Sequence, residues 1–352
     1  MIQKNTLTIE WIEKVSQAHR KADRILVEKV IRALMLLEGL ANSGMPFIFK
    51  GGTALMLLTD SPKRLSIDID IILHQTPKNL EEILNSFVAS QGFNKLELQH
   101  RHIESTIKKA HYKFYYTPIH KSNQTEEYIL LDILFESNHY PKIITTSITS
   151  SFLLNDGDDA IVQVPSIEGF LGDKLTAFAP ETTGIPYFKN GDGRSMEIIK
   201  QLYDIGNLFD MSTDLGTISA TFHAFAKVEI NYRSLPSITV TDVLKDIFQT
   251  ALCITLRGRD SHCNYAELQK GLKAFGIYVY AESYHIEKAI AHSAKVAYLA
   301  RLIATNQRSF EKFTGPQQVA DASIGEPHKI GLQKLRKSNP EAFFYWWKAT
   351  QL

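Results

Sequence analysis

The chain has 352 residues, of which 44% are hydrophobic and 22% are charged, as is common for globular proteins. This composition excludes wholesale disorder, collagen-like repeats and coiled-coil architecture, and the length predicts about two domains. A net charge of +1, spread almost evenly over the two halves, argues against a broad basic surface for nucleic acid.

Neither cysteine usage nor hydropathy points to an exported or membrane protein. Cys253 and Cys263 lack the spacing of a zinc site, and the sequence predicts no disulfide framework. The N-terminus lacks the apolar core of a signal peptide, and no stretch approaches 18 uncharged apolar residues. The expectation is a protein of the reducing cytoplasm without a membrane span.

The first sixty residues predict helices around one short strand. Apolar residues recur at helical spacing over residues 11–41, which indicates one long or two shorter amphipathic helices. Gly44 and Pro46 end this region, and residues 47–49 are apolar and typical of a strand. A Gly-Gly turn then leads into a short apolar helix at residues 53–58.

The next hundred residues predict mainly strands. After a loop at residues 60–63, residues 66–71 alternate Ile with polar residues, the clearest strand signal in the chain. Thr76 and Pro77 predict the N-cap and first turn of a helix that ends near Gly92. Further strands are predicted at residues 96–100, 112–116 and 128–135, the last apolar almost throughout, as in a strand covered on both faces.

After about residue 165 the pattern becomes helical. Helices are predicted at residues 169–178, 196–209, 243–256 and 284–303. Residues 180–194, rich in Gly and Pro, predict a loop. The fold class is therefore α/β (α+β), with a mixed sheet and N-terminal helices in a domain over residues 1–165 and a mainly helical domain over residues 166–352.

The C-terminal tail is mildly basic and aromatic. Its last 52 residues hold eight Lys or Arg against four acids, together with Trp346 and Trp347. Such a tail could bind RNA through phosphate and stacking contacts, or its tryptophans could pack in the core.

Three carboxylates are candidate metal ligands. Asp68 and Asp70 stand two apart in a predicted strand, so alternation places both side chains on one side. Asp132 adds a carboxylate to an apolar strand, where an unpaired charge is costly. Oxygen ligands without His or Cys nearby favour Mg²⁺ or Mn²⁺. The alternative is that Asp68 or Asp70 faces solvent from an edge strand.

A glycine pair close to these carboxylates is a candidate phosphate site. Gly51 and Gly52 lie where a predicted strand turns into a helix, so that backbone N–H groups and a helix N-terminus could bind phosphate. Taken alone, the pair could equally form a tight turn. Because the carboxylate strand follows after a short helix and a loop, both features could lie at one sheet edge and serve a metal-bound triphosphate.

The order of these motifs resembles a known family. GGTAL at residues 51–55 and RLSIDID at residues 64–70 resemble the signature of polymerase-beta-type nucleotidyltransferases. More narrowly, they resemble the AbiEii/AbiGii toxin family of phage abortive infection and type IV toxin–antitoxin systems. The resemblance continues at LDI (131–133), GDKL (172–175) and KQLYDI (200–205), where Gln201 stands at a position that is commonly acidic.

The resemblance implies a polymerase-beta-like nucleotidyltransferase domain and a set of site residues. Metal ligands would be Asp68, Asp70 and Asp132. Residues implied for nucleotide binding are Gly51, Gly52, Thr53, Arg64, Ser66 and Lys174. Residues implied for catalysis are Asp68, Asp70, Asp132, Lys174 and Asp204. From sequence alone, Lys174 could instead be solvated, and Asp204 could pair with Lys200 one helical turn earlier.

The implied activity is transfer of an NMP from an NTP to an acceptor, with release of pyrophosphate. The acceptor would be tRNA or another macromolecule, and the chain would be the toxin partner of a cognate antitoxin. Two alternatives remain: a small-molecule nucleotidyltransferase that inactivates an antibiotic, and a catalytically silent binding protein of the same fold.

Overall fold

The structure is a computed structural model. It describes residues 1–59, 63–99, 108–120, 125–259, 263–327 and 329–352. The chain divides into two units. The first comprises Met1–Asn138, Ile143–Ser166 and Tyr278–Glu282, and the second comprises His139–Lys142, Ile167–Ile277 and Ser283–Leu352.

A mixed sheet of seven strands forms the centre of the first unit. Its strands are β1 (Ile48–Lys50), β2 (Ile69–Leu73), β3 (Lys95–Leu98), β4 (Lys109–Tyr116), β5 (Glu127–Phe135), β6 (Ile143–Ser147) and β7 (Ile161–Pro165). Their order across the sheet is β3-β4-β5-β2-β1-β7-β6. The pairs β2–β5 and β1–β7 are parallel, and the remaining pairs are antiparallel. The predicted mixed sheet is confirmed.

Four α-helices within the described residues accompany this sheet. They are α1 (Ile9–Ala18), α2 (Arg24–Asn42), α3 (Gly51–Leu58) and α4 (Leu80–Ser86). The predicted helical region near the N-terminus is two helices, because Thr8 and Asp23 each cap a separate start by accepting a backbone hydrogen bond. Gly44, with a φ of +73°, follows the end of α2, as the sequence predicts.

Several predicted boundaries are wrong. Strand β2 begins at Ile69 rather than at residue 66, so Asp68 precedes the strand. Helix α4 starts after Asn79 rather than at Pro77, and the Thr76 hydroxyl accepts a hydrogen bond from Lys108 Nζ at 3.2 Å. Strand β3 ends at Leu98. The predicted end of that strand at residue 100, and residues 60–62 of the predicted loop, lie outside the described residues.

Strand β5 is covered on one face rather than on both. Ile129, Leu131 and Ile133 are buried, whereas the alternate residues are half-buried and Tyr128 is 40% exposed. Apolar content alone therefore overstated the burial of this strand. The less covered face is the one that carries Asp132.

The second unit is mainly helical, as predicted. Its helices are α5 (Ile167–Ala177), α6 (Ser195–Met211), α7 (Leu215–Tyr232), α8 (Val240–Leu256), α9 (Tyr265–Phe275), α10 (Ile286–Ala304), α11 (Lys329–Leu332), α12 (Leu335–Ser338) and α13 (Pro340–Thr350). Helix α10 is buried along most of its length and packs against α6, α8 and α13. No described helix of the chain has the length and apolar character needed to cross a membrane.

Three local features of this unit either differ from the sequence prediction or decide between two predicted alternatives. The loop at residues 180–194 contains a hairpin of β8 (Phe188–Lys189) and β9 (Asp192–Gly193), turned by Asn190 and Gly191 at positive φ. Trp346 is fully buried and donates its indole N–H to Thr255 Oγ1 at 3.1 Å, so it packs in the core. The two cysteines are paired in a disulfide with Cα atoms 6.2 Å apart, contrary to the sequence expectation.

The buried carboxyl group of Asp246 in α8 should make the stability of the folded state depend on pH. Asp246 is 8% exposed and accepts hydrogen bonds from Thr182 Oγ1, the Glu181 backbone N–H and Thr250 Oγ1. Burial raises the pKa of Asp246 to about 6, because the hydrogen bonds only partly offset desolvation. Since the folded-state pKa exceeds the unfolded value, ionisation destabilises the fold at pH 7, and this penalty is relieved as the pH falls through 6 towards 4.

We expect Asp246→Asn to remove this pH dependence. The free energy of unfolding of the wild type, relative to the variant, should rise by about 2 to 3 kcal/mol between pH 7 and pH 4 in urea titrations. Asp242→Asn is the matched control on the same helix, because hydrogen bonds from Thr239 lower the pKa of the exposed Asp242. For Asp242→Asn, the free energy of unfolding of the wild type relative to the variant should fall between pH 7 and pH 4. The assignment of Asp246 would be contradicted if the free energies of unfolding of the wild type and of Asp246→Asn changed equally with pH.

Candidate active site

The glycine turn between β1 and α3 lies directly against a carboxylate. Helix α3 begins at Gly51, whose φ of +80° is in the left-handed region that glycine tolerates. A Cβ atom at Gly51 would collide with Asp70 Oδ2. A Cβ atom at Gly52 would lie 2.6 Å from both Arg64 Nη2 and Ser66 Oγ. Gly51 therefore requires glycine, a side chain at Gly52 would displace Arg64 or Ser66, and the turn is in contact with three of the residues singled out from the sequence.

Three buried polar side chains support this turn. Thr53 is fully buried, and its hydroxyl donates to the backbone carbonyl of Asp68 at 2.6 Å. Arg64 and Ser66 are each 5% exposed, and Arg64 Nη1 donates to the carbonyl of Leu65 at 3.1 Å. This burial indicates that the side chains of Arg64 and Ser66 pack against the turn and support its conformation. Their contact with phosphate or a metal-bound water stays a prediction of the family resemblance.

Two of the three predicted carboxylates are register partners. The parallel pairing of β2 with β5 aligns Asp70 with Asp132, on adjacent strands that lie about 4.8 Å apart. Register partners point to the same face, so these carboxylates share one side of the sheet. Asp68 lies outside β2, so strand alternation does not determine its direction, but its backbone is tied to the turn through Thr53.

A histidine that the sequence did not single out contacts Asp132. His111 on β4 is the antiparallel partner of Asp132 on β5, and its Nδ1 lies 2.5 Å from Asp132 Oδ1. The expectation of carboxylates without a nearby histidine is therefore wrong. The register of β4 against β5 depends on the connection between them, which strand patterns do not fix. One feature of the sequence could have pointed to His111. It directly precedes the strand predicted at residues 112–116, and alternation places it on the same face as Lys113 and Tyr115.

The donor chemistry of these residues fits a hard divalent ion. Asp70 and Asp132 offer carboxylate oxygens at adjacent positions, and Asp70 Oδ2 lies where a side chain at Gly51 would begin, so glycine there allows this position of the carboxylate. Over the described ranges, no group of three or more His, Cys, Asp or Glu side chains is arranged to hold an ion. Participation of Asp68 as a third ligand therefore stays a prediction.

In the second unit, Lys174 and Asp204 form a buried ion pair. Lys174 Nζ on α5 lies 2.7 Å from Asp204 Oδ2 on α6, and the side chains are 9% and 4% exposed. Lys174 Nζ also donates to Gln201 Oε1 at 3.3 Å. The alternative of a solvated Lys174 is wrong, whereas the nucleotide and acceptor roles of this pair stay predictions.

The geometry of the turn predicts a strong effect of Gly52→Val. The new side chain would have to displace Arg64 and Ser66, which are buried and cannot move into solvent without cost. If the turn binds the phosphates of an NTP, we expect NTP affinity to fall about tenfold or more, while Mn²⁺ binding at the carboxylates changes less. Calorimetric titration of NTP and Mn²⁺ checks this, and wild-type NTP affinity in a folded variant would contradict the role of the turn.

The chain is similar to solved structures at low sequence identity. A protein described as a nucleotidyltransferase from H. pylori is 16% identical, with a TM-score of 0.44 over 81% of this chain and 96% of its own. JHP933 from Helicobacter pylori is 14% identical, with a TM-score of 0.41 over 87% of this chain and 94% of its own. Both similarities are too distant to support a conclusion about function. No curated protein sequence matches this chain significantly.

The family comparison is more direct. Residues 35–258 match the family described as the nucleotidyl transferase AbiEii toxin of the type IV toxin–antitoxin system. The matched region contains the glycine turn, all three candidate carboxylates and the Lys174–Asp204 pair. This match confirms the resemblance and covers more than half of the chain, which therefore belongs to the AbiEii nucleotidyl transferase toxin family.

Proposed function

We propose that this protein transfers an NMP from an NTP to a hydroxyl group of an acceptor, in a reaction that requires Mg²⁺ or Mn²⁺. The observation that carries the proposal is the alignment of Asp70 with Asp132, with the Gly51 turn in contact with Asp70. Carboxylates at adjacent strand positions repel each other unless a cation lies near them. A phosphate-binding turn beside such a pair suits a metal-bound triphosphate.

The proposed reaction is a displacement at the α-phosphorus of the NTP. The acceptor oxygen forms a bond to this phosphorus and loses its proton to solvent water. The bond from the α-phosphorus to the oxygen that bridges to the β-phosphorus breaks, and pyrophosphate leaves with the electron pair. A divalent ion, when bound, neutralises charge on the phosphate oxygens.

The proposal assigns a role in this reaction to each of the site residues. Asp70 and Asp132, with Asp68, hold the ion. Backbone N–H groups of the turn at the start of α3, which is formed by Gly51, Gly52 and Thr53, bind the phosphates. Arg64 and Ser66 keep the turn in its conformation. Lys174 contacts the triphosphate and Asp204 acts on the acceptor side, as the family resemblance implies.

Family membership supports a toxin role for this activity. In the proposal the acceptor is tRNA or another cellular RNA, the reaction takes place in the cytoplasm, and a cognate antitoxin controls it. The buried Trp346 is not available to stack on an RNA base, so the acceptor is not held by that side chain.

The test is incubation of the protein with each α-labelled NTP, Mg²⁺ or Mn²⁺, and total cellular RNA. We expect label from at least one NTP to appear in an RNA band, with release of pyrophosphate and no transfer in EDTA. A γ-labelled NTP is the matched control, because its label should leave with pyrophosphate. Label found only on an added antibiotic would favour the small-molecule alternative, and no transfer from any NTP would favour a silent binding protein.

A further inference from the structure

We propose that His111 is a positioning residue that orients the Asp132 carboxylate for metal binding. This inference rests on the proposed function, because it assumes that Asp132 is a metal ligand. In the proposal, His111 Nδ1 holds Oδ1 of Asp132 and leaves Oδ2 for the ion. Nothing in the motifs that identify the family points to His111, which lies between them in the chain.

The geometry of the pair is that of a strong and well-defined hydrogen bond. The two residues face each other across the antiparallel pair β4–β5, and the distance from Nδ1 to Oδ1 is 2.5 Å. Their side chains are 14% and 31% exposed, so the bond is partly shielded from water. Because both backbones are held in the sheet, few side-chain rotations are needed to form the bond, and its entropic cost is small.

The direction of the bond follows from the chemistry of its partners. An ionised carboxylate can only accept hydrogen bonds, so the imidazole is the donor and Nδ1 carries the hydrogen. A nitrogen that donates in this way is not itself a metal ligand. A carboxylate has about four lone-pair sites, so the bond leaves Asp132 able to bind an ion through its other oxygen.

The neighbourhood of Asp132 explains why such a donor is needed. Asp70 is its register partner, and two carboxylates at adjacent positions repel each other. Asp132 is almost one third exposed, so an unrestrained side chain could rotate towards water and away from Asp70. Its neighbours on the same face of β5, Leu130 and Leu134, offer no side-chain hydrogen bond. The bond from His111 opposes that rotation.

Three substitutions test the proposal. His111→Asn retains a side-chain N–H close to the position of Nδ1, whereas His111→Val removes it and His111→Gln moves it outward. Partners that orient metal ligands typically contribute 10- to 100-fold to metal affinity. We therefore expect Mn²⁺ affinity, measured by electron paramagnetic resonance, to fall by about that factor in His111→Val and His111→Gln. His111→Asn should stay within about threefold of wild type, since the same interaction is retained.

Lys109→Val is the matched control, since it lies two residues away on the same strand and face and is exposed. Its Mn²⁺ affinity should equal that of wild type, and thermal unfolding in EDTA should show that every variant is folded. If His111→Val does not fold, the contrast between His111→Asn and His111→Gln carries the same test. Equal Mn²⁺ affinity in these two variants would overturn the positioning role.

Asp132→Asn separates the failure of this inference from the failure of the proposed function. If Asp132→Asn binds Mn²⁺ as tightly as wild type, the ligand set is wrong, and the role of His111 falls with it. If Asp132→Asn loses Mn²⁺ while His111→Val and His111→Gln bind it normally, only the positioning role is wrong. In the Asp132→Asn background, His111→Val should cause no further loss, because the effect of His111 acts through Asp132.

Discussion

Replacement of Asp70 by Asn is expected to abolish nucleotidyl transfer while the first unit stays folded. Asp70 is aligned with Asp132 and touches the Gly51 turn, so it lies beside both the proposed metal site and the proposed phosphate site. Loss of its charge should lower the rate by about a thousandfold or more, which corresponds to about 4 kcal/mol. Stability without metal should stay level or rise, because the substitution relieves repulsion from Asp132.

The transfer assay and thermal unfolding in EDTA check both parts of this prediction. Asp68→Asn should behave similarly if Asp68 is a third ligand, and a clearly smaller effect would place Asp68 outside the ligand set. Asp158→Asn, an exposed position in the same unit, controls for the loss of a negative charge. Full activity of Asp70→Asn in Mg²⁺ would show that the carboxylate pair is not the catalytic site.

If the wild-type chain arrests growth when it is expressed without an antitoxin, substitution of Lys174 is expected to relieve that arrest. If Lys174 neutralises charge on the departing pyrophosphate, its loss should lower the rate by a factor of about 30 to 1,000. The structure adds a second effect, because Lys174→Ala leaves Asp204 buried without its ion-pair partner. Breaking a buried pair in this way costs about 3 to 5 kcal/mol of stability.

Lys174→Ala alone therefore cannot separate lost catalysis from unfolding. The double variant Lys174→Met with Asp204→Asn removes both charges, and urea titration should show that it recovers most of the stability lost in Lys174→Ala. We expect the folded double variant to be non-toxic. Growth arrest by that variant would exclude Lys174 from the reaction, and normal growth with wild type at high expression would contradict the toxin role.

The local parts of the site could be predicted from the sequence. Gly51, Gly52 and Thr53 lie at a strand-to-helix turn, and Asp70 follows within one short helix and loop, so a contiguous motif describes them. The structure shows that Gly52 contacts Arg64 and Ser66, which belong to the same motif. Contacts between residues that are close in the sequence can be predicted from the types of those residues and their spacing.

The parts that could not be predicted depend on register and packing. Which residue of β4 faces Asp132 depends on the length of the connection to β5, and a shift of one residue would have replaced His111 by its neighbour. The burial of Lys174 depends on how α5 packs against α6, which the sequence around either helix does not specify. The hydroxyl of Thr76, which the sequence predicts to cap a helix, instead contacts Lys108, which lies 32 residues away in the chain.

The parallel pairing of β2 with β5 has a consequence for how the protein is made. Asp70 and Asp132 are about sixty residues apart in the chain, yet they are direct partners in the sheet. Translation at about 5 to 20 residues per second separates their synthesis by roughly 3 to 12 seconds. A nascent chain that ends before β5 holds only one of the two carboxylates. If Asp70 and Asp132 form the proposed metal site, that site cannot exist until the fifth strand has emerged and joined the sheet.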